Sequence, residues 1–506
     1  MNTSLRTLLI AACLLFTSSF ASELTMAVPN DGYRTDERAN VGMYPLNANI
    51  YDTLVYVSPD YSVEPMLATS WEFIEPNTYR FFLREDVVFH DGSAFTAEDV
   101  KYSIDRVVAA RPSGGLGADS VVIVDDYTLD ITPESPNRRL LQQLTHPSWS
   151  ILASGADPVT NPIGTGPFKY VEYAPEEYIT VTRNDAYWGE AAQLEGITFR
   201  FIPDPNTRIL ALQAGEVDVA YDLPREQTED VTGSNGLSVT TSQVGAYAAL
   251  YVNVSGNEGY ELGSDPAVRA AVARAIDKSL IVDDVWLGNA TVNSSMIPER
   301  ILGEFSSVVQ GQAYDPEAAE QILGDAGWVD SNGDGTRDKN GRELNLTMVV
   351  GFPNPDIHRP MPEIVQALLA DIGINMTIDI TPDTASYDAR LEEGSGDLWA
   401  EVGNQNDANP CFLPNGLFYS QSPWGAYPLR FAPGEDFDVF IEQCLAATTT
   451  TEVAEAAANA MKLIIDDENV VIPIAGIFRI YGHRDDISGF EAHPSTVNQR
   501  WNLVSQ

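Results

Sequence analysis

The chain has 506 residues, with 73 Asp and Glu against 29 Lys and Arg, which gives a formal net charge of −44. At roughly 150 residues per unit the length suggests about three structural units, and the 44% hydrophobic content can build large cores. The charge excludes a nucleic-acid-binding protein, because no basic cluster can displace counterions from phosphates. It also argues against binding to an anionic membrane surface.

The first 21 residues have the three-part pattern of a secretory signal peptide. Arg6 supplies the positive start, and Leu8–Phe16 is an apolar run far shorter than the roughly 20 residues of a spanning helix. Ser19–Ala21 is a small-x-small cleavage site, so the mature chain is expected to begin at Ser22, in the periplasm of a Gram-negative cell. Cys13 resembles a lipoprotein cysteine, but the apolar run continues past it, which favours soluble export.

Strands and helices alternate along the mature chain, a pattern typical of an α/β protein with more than one lobe. The period-two patterns at Tyr178–Thr182 and Ile197–Ile202 predict strands. Helix starts are predicted at Asp265–Pro266, at Asp315–Pro316 and at Pro362, each followed by an apolar stripe at helical spacing.

Two cysteines remain in the mature chain, Cys411 and Cys444. In an exported protein an even number of cysteines can pair, and closing this loop would contribute about 3–4 kcal/mol in the chain-entropy model. The alternative is two buried free thiols, and sequence does not give the distance that would decide between them.

The sequence lacks the usual catalytic and metal-binding motifs. None of the five histidines pairs at metalloprotease or zinc-finger spacing, and no nucleophile elbow occurs. The segment from Asp330 to Asp338 is similar to an EF-hand loop, but Gly341 stands where a bidentate Glu is required, so a polar hairpin is preferred. We expect no metal and no cofactor. A secreted hydrolase with two carboxylates stays an alternative, because so many acidic residues always place some pair close together.

Several motifs together resemble the bacterial solute-binding proteins of peptide and nickel import systems. They run in family order from about Leu24 to Leu503 and comprise Pro65–Trp71, Tyr79–Arg84, Val88–Gly92 with Thr96–Val100, Asn161–Phe168, Arg183–Asn184 with Tyr187–Trp188, Ile202–Arg208, Gly215–Asp218, Val268–Arg269 with Ala275–Asp277, Tyr314–Pro316 and Ala326–Trp328. Most of these positions are expected to be structural, so the motifs identify the scaffold and not a ligand-contacting set.

The resemblance implies a periplasmic-binding-protein-like two-lobed clamp of type II with an additional inserted domain. The expected division is 22–50, 189–252 and 479–506 for lobe one, 51–188 for the inserted domain, and 253–478 for lobe two. Segments that cross near Val252 and Phe478 would form the hinge. Ligand would stabilise the closed state more than the open one, and the closed protein would dock on ABC permease subunits in the membrane. No reaction is expected, and the protein is expected to be a monomer.

The resemblance also suggests where ligand is held. In peptide-binding members a carboxylate four residues before a proline holds the ligand's amino group; here Pro410 places Asn406 there, with Asp407 beside it. The surrounding stretch is rich in amides, which suit neutral polar groups. The candidate ligand-binding residues are Asn47 and Asn49 from lobe one, His146 and Trp149 from the inserted domain, and Asn404, Asn406, Asp407, Asn409, Tyr419, Trp424, Tyr427 and Arg430 from lobe two.

The leading functional hypothesis is capture of an oligopeptide or a related small polar solute. A dipeptide is not the first choice, because Val349–Pro353 lacks the Arg that dipeptide binders use, and Arg359 lies too close to the next helix. A nickel chelate or an oligosaccharide on the same fold is the first alternative, with His146 and His483 as the places for a metal-chelate contact. The secreted hydrolase is the alternative from a different class.

Overall fold

The computed structural model describes residues 23–29, 46–110, 115–134, 137, 139–158, 161–351, 360–405, 408–422, 431, 433–447, 449–495 and 498–506. Within these residues the chain forms one large sheet, three small sheets and helices packed around them. Each helix in this part of the chain is too short or too polar to cross a lipid bilayer.

The strands of the described part are, in chain order, β1 (Glu23–Val28), β2 (Val55–Val57), β3 (Val63–Pro65), β4 (Ala68–Ile74), β5 (Thr78–Leu83), β6 (Val121–Asp125), β7 (Thr128–Ile131), β8 (Phe168–Ala174), β9 (Tyr178–Arg183), β10 (Gly196–Phe201), β11 (Val219–Tyr221), β12 (Leu237–Val252), β13 (Ala290–Val292), β14 (Asp338–Lys339), β15 (Arg342–Glu343), β16 (Asn345–Val350), β17 (Asn375–Ile380), β18 (Leu398–Asn404) and β19 (Val471–Arg484).

The α-helices are α1 (Asn47–Ile50), α2 (Ala97–Ala110), α3 (Leu140–Gln143), α4 (Pro205–Gln213), α5 (Thr228–Thr232), α6 (Pro266–Ala275), α7 (Lys278–Trp286), α8 (Glu299–Leu302), α9 (Pro316–Asp325), α10 (Pro360–Asp371), α11 (Thr384–Glu393), α12 (Phe412–Leu417), α13 (Glu435–Ala446) and α14 (Thr450–Lys462). Short 3₁₀ turns lie at Pro147–Trp149, Arg225–Gln227, Leu262–Ser264 and Gly303–Val308, and a π turn at Leu463–Asp467.

The predicted local elements are confirmed where the sequence signal was strongest. β9 and β10 cover the two period-two segments. α6 and α9 begin at Pro266 and Pro316, and the side chains of Asp265 and Asp315 cap them by accepting backbone N–H groups at 2.9 Å. α10 begins two residues before the predicted start at Pro362.

The large sheet has eleven strands, in which two sets of parallel strands are joined by two long antiparallel strands. β9 and β8 extend the first set as an antiparallel edge. The strand order of the sheet is β17-β16-β18-β12-β19-β11-β1-β10-β9-β8, with β13 beside β19. β1 pairs in parallel with β10 and β11, and β16 pairs in parallel with β17 and β18. β12, of 16 residues, and β19, of 14, pass from one half to the other. The chain therefore crosses between the halves on a two-stranded ribbon.

Distinct hydrophobic cores lie on the two halves of the sheet. One contains Leu24 and Phe199 and continues into the 51–188 segment through residues such as Phe81. Two others pack on opposite faces of β12, the first around Leu250 and the second around Tyr251. Because the 51–188 segment shares a core and a sheet with β1 and β10, the exact lobe boundaries stay a prediction.

Buried Asp52 ties the 51–188 segment to the C-terminal residues. Its carboxylate is 1% exposed and forms an ion pair with Arg500. It also accepts hydrogen bonds from the hydroxyl of Thr165 and the indole N–H of Trp188, each at 2.9 Å. Since a buried charge is stable only when paired and hydrogen-bonded, this network fixes the C-terminal segment beside α1.

Candidate functional site

The parallel strands of both halves of the sheet end at one gap, which β12 and β19 cross. β10 and β11 of the first half end at Phe201 and Tyr221, and β18 of the second half ends at Asn404. Asn404 is the register partner of Ala246, in the middle of the long strand β12. Ligands of open α/β sheets bind outside the carboxyl ends of the strands, so this gap is the candidate functional site.

Side chains from both halves meet on one side of the gap. Val57 and Tyr61 pack against Ala408, which follows the end of β18. Arg300 donates a hydrogen bond to the carbonyl of Pro59 at 3.3 Å, and its guanidinium carbon lies 5.7 Å from the ring centre of Tyr61. The second half of the molecule is therefore in contact with the 51–188 segment across the gap.

A cavity of about 470 Å³ occupies another part of the gap, between the end of β11 and the start of β13. Asp222 and Arg225 line it from the first half, Trp286 and Asn404 from the second. Arg479 of β19 contributes from the crossing strand itself. Because both halves and the crossing strand line this cavity, its shape depends on how the two halves sit relative to each other.

Three of the predicted ligand-binding residues are buried in the first half. Asn47 is 5% and Asn49 0% exposed, both in α1, and Trp149 is 5% exposed in the core. The side chain of Asn49 donates to the carbonyl of Gln499 at 3.0 Å and accepts from the backbone N–H of Trp501 at 2.9 Å. In this arrangement Asn49 and Trp149 hold the scaffold together, and neither side chain is open to a solute.

His146 is half-buried and caps the 3₁₀ turn at Pro147–Trp149. Its Nδ1 accepts the backbone N–H of Ser148 at 3.2 Å and lies 2.8 Å from the Ser148 hydroxyl. Because a backbone N–H can only donate, the ring proton is on Nε2. Burial lowers the pKa of His146 to about 4, so the ring is neutral at physiological pH and offers an N–H donor.

The predicted residues of the second half are only partly described. Asn404 is exposed at the cavity, and the side-chain oxygen of Asn409 accepts the backbone N–H of Cys411 at 3.0 Å. Tyr419 packs against a core, and burial raises its pKa, with the negative charge of Glu442 adding to the effect. The other candidates lie outside the described residues, namely Asn406, Asp407, Trp424, Tyr427 and Arg430, as does Arg359.

Cys411 and Cys444, which are 33 positions apart in sequence, form a disulfide in the structure, with their Cα atoms 6.4 Å apart. Both residues are buried. The bond attaches the chain just after Pro410 to the last turn of α13. It therefore anchors the stretch that follows the end of β18 at the gap.

In the described part of the chain, no group of three or more His, Cys, Asp or Glu side chains is arranged to hold a metal ion. His483 uses both ring nitrogens within the protein, Nδ1 at 3.0 Å from the carbonyl of Arg484 and Nε2 at 2.9 Å from the Thr240 hydroxyl. The two oxygens of Asp330 accept backbone N–H groups of its own loop, from Gly333 and Gly335. The hairpin of β14 and β15 follows this loop, as predicted.

Sequence reasoning missed the arginines of the cavity. Arg208, Arg225 and Arg479 line it together, although they are far apart in sequence. Arg208 closes the family motif Ile202–Arg208, which was assigned to the scaffold. The scarcity of positively charged residues in the sequence could have pointed to them, because it makes each Arg near the end of a predicted strand a candidate site residue.

The fold and the gap define a two-lobed solute-binding protein. Residues 62–424 match the model of the family described as bacterial extracellular solute-binding proteins, family 5. This match covers more than half of the chain, and the chain belongs to this family. The resemblance drawn from the sequence motifs is thereby confirmed, as is the α/β clamp it implied.

Individual relatives agree with this assignment. The nickel-binding periplasmic protein of Escherichia coli K12 is 30% identical over 409 residues, which span 74% of this chain and 75% of that protein. Heme-binding protein A of Haemophilus influenzae is 28% identical over 473 residues, or 84% and 81% of the two chains. The crystal structure of NikA from Brucella suis in complex with Fe(III)-EDTA superposes with a TM-score of 0.82 at 27% identity, covering 96% of this chain and 99% of that one.

Proposed function

We propose that the mature chain is the binding component of an ABC importer, which captures an oligopeptide or a related small polar solute and delivers it unchanged to permease subunits. Export by the signal at residues 1–21 would place it in the periplasm, where it acts as a monomer. The relatives include periplasmic binding proteins, and the family is extracellular, which supports a site of action outside the cytoplasm.

The observation that carries this proposal is the crossing of β12 and β19 between two separately packed halves. Each half has its own core, and the carboxyl ends of its parallel strands face the common gap. Two rigid bodies on a narrow ribbon can change their separation without unfolding either core. A solute that touches both halves then favours the closed arrangement.

We assign the solute contacts to the Tyr61 side of the gap. On that side the described candidates are His146, with its Nε2–H donor, Asn409 and Tyr419, and Asp407 would bind an amino group if the solute is a peptide. Asn404 lies instead at the cavity in the other part of the gap. The polar tips of these side chains are neutral apart from that carboxylate, which suits a solute with several hydrogen-bonding groups and little net charge.

A nickel chelate is the second candidate cargo, because one relative is a nickel-binding protein and one similar structure holds a metal–EDTA complex. In that case the chelator, and not the protein, would supply most of the metal ligands. His146 would contact an acceptor atom of the chelator, since its Nε2 carries a proton.

A thermal-shift screen of the mature protein tests the proposal. The compounds are di- to pentapeptides, nickel complexes and oligosaccharides, each in low and high salt. A cargo at about 100 times its dissociation constant adds roughly 2.7 kcal/mol to the free energy of unfolding. If no compound of these three classes raises the melting temperature, the proposed cargo classes are wrong.

The site assignment is tested by Asp407→Ala. We expect this variant to lose the shift produced by a peptide, while the melting temperature without ligand stays nearly unchanged. Asp119→Ala is the matched control, because it removes one carboxylate from an exposed turn. If Asp407→Ala instead unfolds the protein, Asp407 is structural and the assignment fails.

Recovery of the bound compound separates a binding protein from a hydrolase. The importer component returns its cargo with unchanged mass and binds it stoichiometrically. The secreted hydrolase would instead release products at a rate proportional to enzyme concentration.

A further inference from the structure

A second cavity, of about 630 Å³, lies on the Tyr61 side of the gap. β12 contributes Gly245 and Tyr247 to its wall, and the segment after β13 contributes the residues from Asn293 to Arg300. An added Cβ on Gly245 would lie 3.3 Å from the Tyr61 hydroxyl, so this stretch of β12 faces Tyr61. The cavity therefore adjoins the side of the gap to which we assign the cargo.

The wall of this cavity is mostly neutral and polar. Side-chain hydroxyls and amides line it, and they belong to Gln243, Thr291, Asn293, Ser294, Ser306 and Gln310. Met296 and Val309 add an apolar part, which is continuous with one of the hydrophobic cores of the second half. A lining of this kind favours a solute with uncharged hydrogen-bonding groups.

Arg300 is the only positively charged side chain among the described residues that line this cavity. The residue is exposed. Its Nη1 donates to the carbonyl of Pro59 at 3.3 Å, and its Nη2 donates to the side-chain oxygen of Gln243 at 3.4 Å. Both distances are long for an N–H···O hydrogen bond, and both acceptors are neutral. These contacts orient the guanidinium without neutralising it.

The guanidinium of Arg300 keeps N–H groups for a further acceptor. A guanidinium has five N–H donors, and the bonds to Pro59 and Gln243 use two of them, so three remain. No carboxylate within the described residues is paired with Arg300. Glu299 also lines the cavity, but it is the adjacent position of α8, and adjacent residues of a helix do not face each other. Arg300 therefore offers an accessible positive charge on the cargo side.

We propose that Arg300 binds a carboxylate of the cargo, and that the body of the cargo extends into the neutral cavity beside it. This inference rests on the proposed function and adds the residue that selects an acidic group. A planar carboxylate matches two N–H groups of one guanidinium. With Asp407 as the proposed partner of an amino group, the site favours a peptide with both termini free. A nickel chelate with free carboxylate oxygens offers the same group.

The selection of an acidic group runs against the charge of the chain as a whole. A formal net charge of −44 attracts a cationic solute more strongly than a neutral or anionic one. A preference for a free carboxylate over its amide therefore needs a local positive charge, which Arg300 supplies. High salt weakens the long-range attraction more than it weakens a direct contact.

Isothermal titration of the mature protein in high salt, with trialanine and its C-terminal amide, tests this inference. We expect the parent protein to bind the acid about tenfold more tightly than the amide, because a charge-assisted contact is made only by the acid. Arg300→Gln should bind the two compounds within about twofold of each other. The variant also loses the contacts with Pro59 and Tyr61, but this loss affects both compounds alike and cancels in the ratio of their dissociation constants.

A second pair of compounds identifies the source of the carboxylate. Nickel–EDTA carries carboxylates and nickel–triethylenetetramine carries none. If the cargo is a chelate, the parent protein should prefer nickel–EDTA, and Arg300→Gln should lose that preference. Arg274→Gln is the matched control, because the hydrogen bond described for the Arg274 side chain stays within α6. This control should keep whichever preference the parent protein shows.

The inference is overturned if the parent protein prefers the carboxylate member of neither pair, if Arg300→Gln keeps the preference, or if Arg274→Gln loses it as well. These results differ from a failure of the proposed function, in which no compound of the thermal-shift screen stabilises the protein. Binding without a preference would leave capture of a cargo in place and remove Arg300 from its recognition.

Discussion

Asp218 and Asp397 occupy matching positions in the two halves of the sheet. Each directly precedes a strand, β11 or β18, and its carboxylate accepts the backbone N–H of the neighbouring parallel strand, from Thr25 at 2.7 Å or from Thr347 at 2.9 Å. A helix comes before each of them, α4 or α11. The two carboxylates therefore fix the register of the strands whose far ends face the gap.

The two positions differ in charge compensation. Asp218 forms an ion pair with Arg484 at 3.1 Å. Asp397 is 1% exposed and has no ion pair within the described residues. Burial accordingly raises the pKa of Asp397 to about 6, although the N–H of Thr347 acts in the opposite direction.

This raised pKa predicts a specific pH dependence of stability. The folded protein holds the Asp397 proton more tightly than the unfolded chain does. The protonated carboxyl therefore contributes its full stabilisation of the folded state below the ordinary pKa near 4, and this contribution is lost as the pH rises through about 6. We expect the difference in unfolding free energy between the parent protein and Asp397→Asn to change by about 2–3 kcal/mol between pH 4 and pH 7.

Urea denaturation at a series of pH values measures this difference. Asp119→Asn, in an exposed turn, serves as the control and should follow the parent protein at every pH. A constant difference between the parent protein and Asp397→Asn across the range would mean that Asp397 does not titrate in it.

The disulfide between Cys411 and Cys444 should contribute to both stability and binding. Replacing both cysteines by Ala is expected to lower the unfolding free energy by about 3–4 kcal/mol, because the closed loop restricts the unfolded chain. Cargo affinity should fall as well, since the bond anchors the stretch after β18. Guanidinium denaturation and a binding isotherm, each with and without reductant, measure the two effects.

The parent protein supplies its own control for the disulfide. Reductant should reproduce the effect of the double variant in the parent protein and have no effect on the variant. Detection of two reactive thiols in the unfolded, unreduced mature protein would rule the disulfide out.

Arg300 is expected to slow the separation of the two halves. Its hydrogen bond to Pro59 and its contact with the Tyr61 ring link the second half to the 51–188 segment. Arg300→Ala should accelerate cargo dissociation about three- to tenfold, because contacts of this kind contribute roughly 1 kcal/mol. Stopped-flow dissociation measures the rate.

Arg274→Ala provides the comparison for Arg300, because the hydrogen bond described for the Arg274 side chain stays within its own helix, to the carbonyl of Ala270. Its dissociation rate should equal that of the parent protein. Equal rates in all three proteins would show that the contact of Arg300 does not hold the halves together.

The protonation state of His146 can be observed directly. We expect the ring to be neutral down to about pH 5, with the proton on Nε2, because burial lowers its pKa to about 4 and the Ser148 N–H occupies Nδ1. Nitrogen chemical shifts of the labelled ring give both quantities. A transition near pH 6.5, or a proton on Nδ1, would contradict the assigned role as an N–H donor.

Local patterns in the sequence were enough to predict helices and strands, but not to predict which residues form the sites. Asp265 and Asp315 cap their helices through backbone groups two and three residues away, so the pattern of neighbouring residues predicts them. The role of Asn49 depends on Trp501, 452 positions later. The cavity arginines likewise meet only through the sheet topology, and no spacing rule connects them.

The central claim is that this protein is a clamp which closes around an unaltered solute. Small-angle scattering of the mature protein, with and without a saturating cargo from the thermal-shift screen, tests it most directly. The account predicts a smaller radius of gyration in the presence of cargo. An unchanged radius of gyration under saturating binding would contradict closure of the two lobes.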